Sequence, residues 1–140
     1  MKEVVISISS IHDYGNRDED GLEFTTDGLY SHDGGQSLIC YYESDVTGLA
    51  GTRTKVSVTE EEIVVDREGS VTSRMVFRKG QRSSFLYDTP YGMATLGVDT
   101  RNIAHEFGEN GGSLQIDYVV DVAHTVAAKN RFMMNVRELR

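Results

Sequence analysis

Apolar and polar residues alternate with period two along most of this chain, and that alternation limits its fold more than any other feature. Successive side chains of a strand point to opposite faces, whereas a helix repeats at about 3.6 residues, so the pattern reads as strand almost everywhere. In the first run Val4, Ile6 and Ile8 fall on one side and Val5, Ser7 and Ser9 on the other. From Leu22 to Tyr30, Leu22, Phe24 and Thr26 oppose Glu23, Thr25 and Asp27; then Leu38, Cys40 and Tyr42 oppose Ile39, Tyr41 and Glu43. Val71, Ser73, Met75 and Phe77 oppose Thr72, Arg74, Val76 and Arg78, and Leu114, Ile116, Tyr118, Val120 and Val122 share one side of a later run.

Turn signals separate these runs. His32-Asp33-Gly34-Gly35, Glu68-Gly69, Lys79-Gly80, Thr89-Pro90-Tyr91-Gly92 and Glu109-Asn110-Gly111-Gly112 place glycines where positive φ is needed, and the single proline, Pro90, fixes φ in its turn. The acidic segment Asp18-Glu19-Asp20-Gly21 is expected to be a loop ending the first strand, and a last hairpin is expected at His124-Thr125. Strands over 53–58, 62–67, 71–78 and 82–88 would follow one another antiparallel. Residues 93–107 contain capping groups at Asp99 and Thr100 but read better as strand, because Ile103, His105 and Phe107 alternate with Asn102, Ala104 and Glu106.

The result is an all-β chain with no amphipathic helix to cover a sheet face. Its 140 residues make one domain, 1–140, and a chain of that size buries roughly 68% of its unfolded surface on folding. Closing an antiparallel meander of about 8–10 strands into a barrel removes the edges that would invite aggregation, and is preferred here over a sandwich. Such a barrel is either filled by its own side chains or wide enough for one small guest.

The formal charge of −8 and pI near 4.9 set a field that repels phosphate backbones and anionic membranes, so neither nucleic acid nor membrane is expected as a partner. The lone cysteine, Cys40, allows no internal disulfide and suits a reducing compartment. The N-terminal Met1-Lys2-Glu3-Val4-Val5-Ile6 lacks the apolar stretch of a signal peptide. A cytoplasmic location is expected.

The residues Tyr42-Glu43-Ser44, Thr47-Gly48-Leu49 and Gly51-Thr52 open a set that continues with Ser73-Arg74-Met75-Val76-Phe77 and Gly80. The set then takes in Leu86-Tyr87-Asp88-Thr89-Pro90-Tyr91-Gly92, Leu96-Gly97-Val98 and Thr100, and ends with Gly111-Gly112-Ser113-Leu114 and Tyr118. In this order the chain resembles the YwiB-like family, a domain of unknown function placed with the calycin-like barrels that include the lipocalins. The loop around Asp13 to Asp20 matches nothing in that pattern. What the resemblance implies is a calycin-like, lipocalin-like barrel, with no reaction attached.

Chemistry is sparse. His12, His32, His105 and His124 show no metal-ligand spacing, and no cofactor is expected. Asp18-Glu19-Asp20-Gly21-Leu22-Glu23 lacks the full calcium-loop pattern and reads as a solvated acidic segment, as Glu60-Glu61-Glu62 reads as a hairpin tip. No nucleophile elbow or phosphate loop is present, and Cys40 is expected to be a small buried hydrophobe. A catalytic role therefore has no visible base or nucleophile.

The constellation left is Tyr42, Glu43, Arg53, Arg74, Tyr87 and Tyr91, with Glu43 and Arg74 expected to touch. An inward-facing charge must be paired, because an isolated one in a dry barrel is expensive. Met75, Phe77, Phe85 and Tyr87 would line an apolar cavity holding a small apolar or amphipathic ligand. The competing reading is a side-chain-filled barrel that docks a protein partner or a second copy of the chain.

Overall fold

A computed structural model describes residues 1–13, 19–47, 49–122 and 125–139; of residues 19, 20, 45, 126 and 127 it describes the backbone alone. Ten strands follow one another: β1 (Lys2–Asp13), β2 (Glu19–Asp33), β3 (Gln36–Tyr42), β4 (Thr52–Val58), β5 (Ile63–Gly69), β6 (Thr72–Phe77), β7 (Arg82–Thr89), β8 (Gly92–Gly108), β9 (Gly111–Val122) and β10 (Thr125–Glu138). Each pairs antiparallel with its sequence neighbours, and β10 returns to β1 through ten register pairs from Val4↔Glu138 to Asp13↔Lys129. The meander is thus a closed barrel, as expected. Among the described residues the one helical segment is a single turn at Asp45–Thr47, and no helix is long and apolar enough to cross a membrane.

Alternation decides which side chains point inward. Val4, Ile6 and Ile8 of β1, Tyr30 of β2, Ile39 and Tyr41 of β3, Val56 and Val58 of β4, and Ile63 and Val65 of β5 join Met75, Phe77, Phe85, Val98, Leu114, Ile116, Met134 and Val136 in one buried cluster. Apolar side chains therefore fill most of the lumen. Toward one end the Tyr30 hydroxyl crosses from β2 to donate to the Gly108 carbonyl at the end of β8, with the Phe107 ring 6.1 Å from its own.

Local chemistry explains the turns and two departures from the sequence reading. Gly34 and Gly35 form the two-residue β2–β3 loop, both at positive φ, 57° and 83°, as a turn matching the strand twist requires. Glu19, Asp20 and Gly21, expected in a loop, instead belong to β2, because the β1–β2 ladder continues through His12↔Asp20 and Asp13↔Glu19. Cross-strand pairing outweighs the polar composition there; Asp18 lies outside the described residues. Gly69 ends β5 rather than occupying a two-residue turn, and Lys79-Gly80 sits inside a longer connection closed by the Gln81 N–H on the Arg78 carbonyl at 3.0 Å. The expected hairpin at His124-Thr125 is described only from Thr125, which opens β10.

The wall has one weak seam. β6 and β7 share a hairpin, yet their ladder holds only Thr72↔Asp88 and Ser73↔Tyr87, against five pairs for β5–β6 and eight for β7–β8. Beyond Ser73 the Ser83 hydroxyl donates to the Val76 carbonyl at 3.0 Å, a side chain standing in for a backbone donor. Past the far end of the seam, the Gly80 N–H donates to the Thr100 carbonyl and the Thr100 N–H to the Gln81 carbonyl, which ties the turn to β8.

Candidate functional site

Five cross-strand neighbours form a polar row along the inner wall. The registers Tyr41↔Thr54, Thr54↔Arg67, Arg67↔Ser73 and Ser73↔Tyr87 place these residues side by side on β3 to β7, and partners directly opposite share a face. Arg67 is inward because Ile63 and Val65 are, four and two residues earlier on β5. Glu43 follows Tyr41 by two and is also buried, held by its N–H on the Thr52 carbonyl.

Glu43 and Arg67 form the inner ion pair. The Glu43 side chain is 2% exposed and that of Arg67 19%, with Arg67 Nε 3.9 Å from Glu43 Oε2. That separation neutralises charge without making a hydrogen bond. The Thr54 hydroxyl makes the bond instead, donating to the same oxygen at 2.6 Å. Burial, then the nearby Glu43 charge, pushes the Tyr41 phenol far above its ordinary value, while Arg67 pulls the other way. Tyr118, edge-on to Phe77 at 4.9 Å, is raised by burial and opposed by Arg67. Both phenols stay protonated at neutral pH.

Three buried polar atoms have no hydrogen-bond partner among the described residues: Arg67 Nε and Ser73 Oγ in this row, and Thr100 Oγ1 on β8. Native proteins leave few such groups, so each one points to something that completes it. On the outer side of the same wall lies a groove of about 710 Å³. Its lining combines Arg53, Lys55, Arg74, Leu86 and Met93 of the outer face with Arg67, Ser73 and Phe85 of the inner one, at the place where the β6–β7 ladder stops. A larger groove of about 860 Å³ crosses β2, β1, β10, β9 and β8, and its lining carries Ser7, Ser9, Thr25 and Ser113 with the acids Glu23 and Glu106 and no lysine or arginine. None of the unpartnered atoms borders it.

The residues singled out from the sequence divide between two faces. Met75, Phe77 and Phe85 join the buried cluster with Tyr87 packed against it, and Glu43 is buried as well. Tyr42 (73% exposed) and Tyr91 (100%) lie outside, as do Arg53 and Arg74 in the groove. The expected Glu43–Arg74 contact is not made: Arg74 faces outward and bonds both oxygens of Asp66 at 3.1 Å, while Glu43 faces Arg67. The strand parity that puts Ser73 and Met75 inside sends Arg74 out. Tyr41, Thr54, Arg67, Ser73 and Tyr118 were missed, although Ile63, Val65 and Arg67 already share a parity in the sequence. Cys40 is a buried thiol, as expected, and among the described residues no cluster of three or more acids, histidines or cysteines could hold a metal.

These features define a closed ten-stranded barrel whose inner wall carries a buried ion pair beside an incomplete ladder. The chain belongs to the family described as a domain of unknown function (DUF1934), whose model matches residues 6–134. It is 31% identical over 114 residues to the uncharacterized beta-barrel protein YwiB of Bacillus subtilis (strain 168), covering 81% of this chain and 78% of that one. The crystal structure of the ywiB protein from Bacillus subtilis superposes with a TM-score of 0.87 over 99% of this chain and 93% of the other, at 23% identity. The family resemblance read from the sequence is therefore correct, and the fold is shared throughout.

Proposed function

We propose that this protein is a non-catalytic binding barrel that receives a small amphipathic molecule in the groove over β6 and β7. The end of the ladder at Ser73↔Tyr87 carries the reading: it sets the groove against wall without strand pairing, beside the unpartnered atoms of Arg67 and Ser73. The groove's 710 Å³ falls within the span of small-ligand clefts, about 300–1,000 Å³. Phe85, Leu86 and Met93 suit an apolar tail and the polar row suits a head group. Support comes from the site, since a calycin-like fold by itself assigns no ligand.

A purely apolar guest along the barrel axis is the weaker version. Side chains already fill that space, and displacing one from burial forfeits about 1.5–3 kcal/mol. Native mass spectrometry with octyl-chain amphiphiles tests the proposal. One-to-one adducts are expected, and they should weaken in Leu86→Asp, a change at an exposed position. Absence of adducts, or indifference to Leu86→Asp, would overturn it.

A second reading is favoured by the exposure of Leu86, Tyr91 and Met93 on the β7–β8 hairpin of a filled barrel. There that hairpin docks a protein partner or a second copy of this chain, and the same spectra would show a dimer that Tyr91→Ser dissolves. For either role the buried thiol of Cys40 suits the cytoplasm.

A further inference from the structure

We infer that the head group received by Arg67 and Ser73 is an uncharged hydrogen-bond acceptor, a carbonyl, ester or ether oxygen, and neither a carboxylate nor an ammonium. The inference rests on the binding role proposed above and adds the chemical class of the ligand.

Charge is already balanced at the row. Glu43 faces Arg67 at 3.9 Å with its side chain almost wholly buried, so the two make a neutral unit. A guest carboxylate would place a second anion beside Glu43 in a poorly solvated site. A guest ammonium would meet the Arg67 guanidinium, which has no acceptor to offer. Either leaves an uncompensated charge, the costly case for buried groups. The neighbouring phenols supply no counter-charge, since burial holds Tyr41 and Tyr118 in their neutral forms.

Hydrogen bonding is what remains unfilled. Arg67 Nε–H can only donate, and the Ser73 hydroxyl, on its cross-strand partner, can donate as well. Glu43 Oε2 does not complete Arg67 Nε, because at 3.9 Å it lies beyond hydrogen-bond reach. Two donors on adjacent strands match the two lone pairs of one neutral oxygen. The other charges that line the groove, Arg53, Lys55 and Arg74 with Asp66, Glu68 and Asp88, lie on its outer face, where Asp66 pairs with Arg74 and salt screens the rest.

The test uses three probes of one chain length, methyl octanoate, octanoate and octylammonium, titrated by heteronuclear NMR at near-neutral pH and raised salt. Methyl octanoate is expected to move the Arg67 Nε–H resonance and to bind at least tenfold more tightly than either ion. Ser73→Ala should weaken the ester several-fold while leaving the ions unchanged. Octanoate binding as tightly as the ester would overturn the inference and leave the binding role standing. So would ester binding that moves groove resonances but not Arg67 Nε–H, since an ordered water would then be completing the donors. If none of the three probes moves a groove resonance, the binding role and the inference fall together.

Discussion

Replacing Arg67 with methionine removes the charge facing Glu43 while keeping an unbranched side chain of similar reach. Glu43 would then be a carboxylate with a 2% exposed side chain, held by the Thr54 hydroxyl at 2.6 Å. Breaking a buried pair from one side costs about 3–5 kcal/mol, because the remaining charge is uncompensated. Small domains have only about 5–15 kcal/mol of stability to lose. With a urea dependence of about 2 kcal/mol per molar, the unfolding midpoint should fall by about 1.5–2.5 M. Glu43→Gln alone should also destabilise, leaving the guanidinium unbalanced. The double variant Glu43→Gln/Arg67→Met should recover most of the loss, giving a coupling of several kcal/mol. The same cycle at Asp66 and Arg74 provides the contrast: Arg74 is 66% exposed, and exposed pairs couple by about 0.2–1 kcal/mol. Additive single-variant losses at Glu43 and Arg67, within about 0.5 kcal/mol, would refute the claim that these two residues are the inner pair.

The raised phenols predict alkaline sensitivity. Above pH 10 the unfolded chain releases tyrosine protons, whose reference pKa is 10.0, while Tyr41 and Tyr118 in the folded state keep theirs. The unfolded state then binds fewer protons, so their contribution, full below pH 10, is lost as pH climbs toward the folded values. Tyr41→Phe should flatten that slope, and tyrosinate absorbance showing every phenol ionising near pH 10 without unfolding would contradict it. At two glycines the same substitution should differ in cost. A Cβ on Gly28 would sit 2.5 Å from the Cys40 carbonyl oxygen, which cannot move aside, and overpacking of this kind costs about 1–3 kcal/mol. The atoms nearest a Cβ on Gly97 belong to the Arg82 guanidinium, the far end of a flexible side chain that lies across it to reach Asp121, so Gly97→Ala should cost less than Gly28→Ala; thermal melts in the reverse order would refute that account. Finally, hydrogen exchange should be faster at the β6 and β7 amides that face each other beyond Ser73 than at the amides between β5 and β6. Equal protection would mean the seam is closed.

The strands were legible because period-two alternation survives wherever one face is buried, and Val4, Ile6 and Ile8 show it as plainly in the sequence as in the barrel. The same parity marked Tyr41 and Glu43 as one face and Tyr42 as the other, and a one-residue step exchanges the two. Arg67 was legible in principle, two residues after Val65, but a cation amid charged neighbours from Arg53 to Arg82 reads as exposed until its strand is closed on others. Which cation meets Glu43 was not legible at all. That depends on inter-strand register, which Thr54↔Arg67 fixes and alternation along one strand does not. Nor does local sequence reveal that Tyr30 reaches Gly108, or that β6 and β7 part company after two pairs, since both depend on how the closed wall is shaped.

Closure leaves few places where a barrel can act. A closed ladder uses up its backbone donors and acceptors, and a filled lumen uses up its apolar surface. What is left is an interruption of the ladder, and here the interruption coincides with the inner ion pair. Net stability is no sufficient reason for that pair, since well-packed apolar residues in place of a buried pair are often neutral or stabilising by about 1–4 kcal/mol. Fixing the wall's register and receiving a guest are then the two reasons left for Glu43 and Arg67 to face each other behind an unpaired stretch of wall. The double variant that restores stability separates the two explanations. If Glu43→Gln/Arg67→Met folds as firmly as the native chain and still moves its groove resonances with methyl octanoate, the pair is part of the wall. If it folds firmly and no longer binds, the pair is there for the guest.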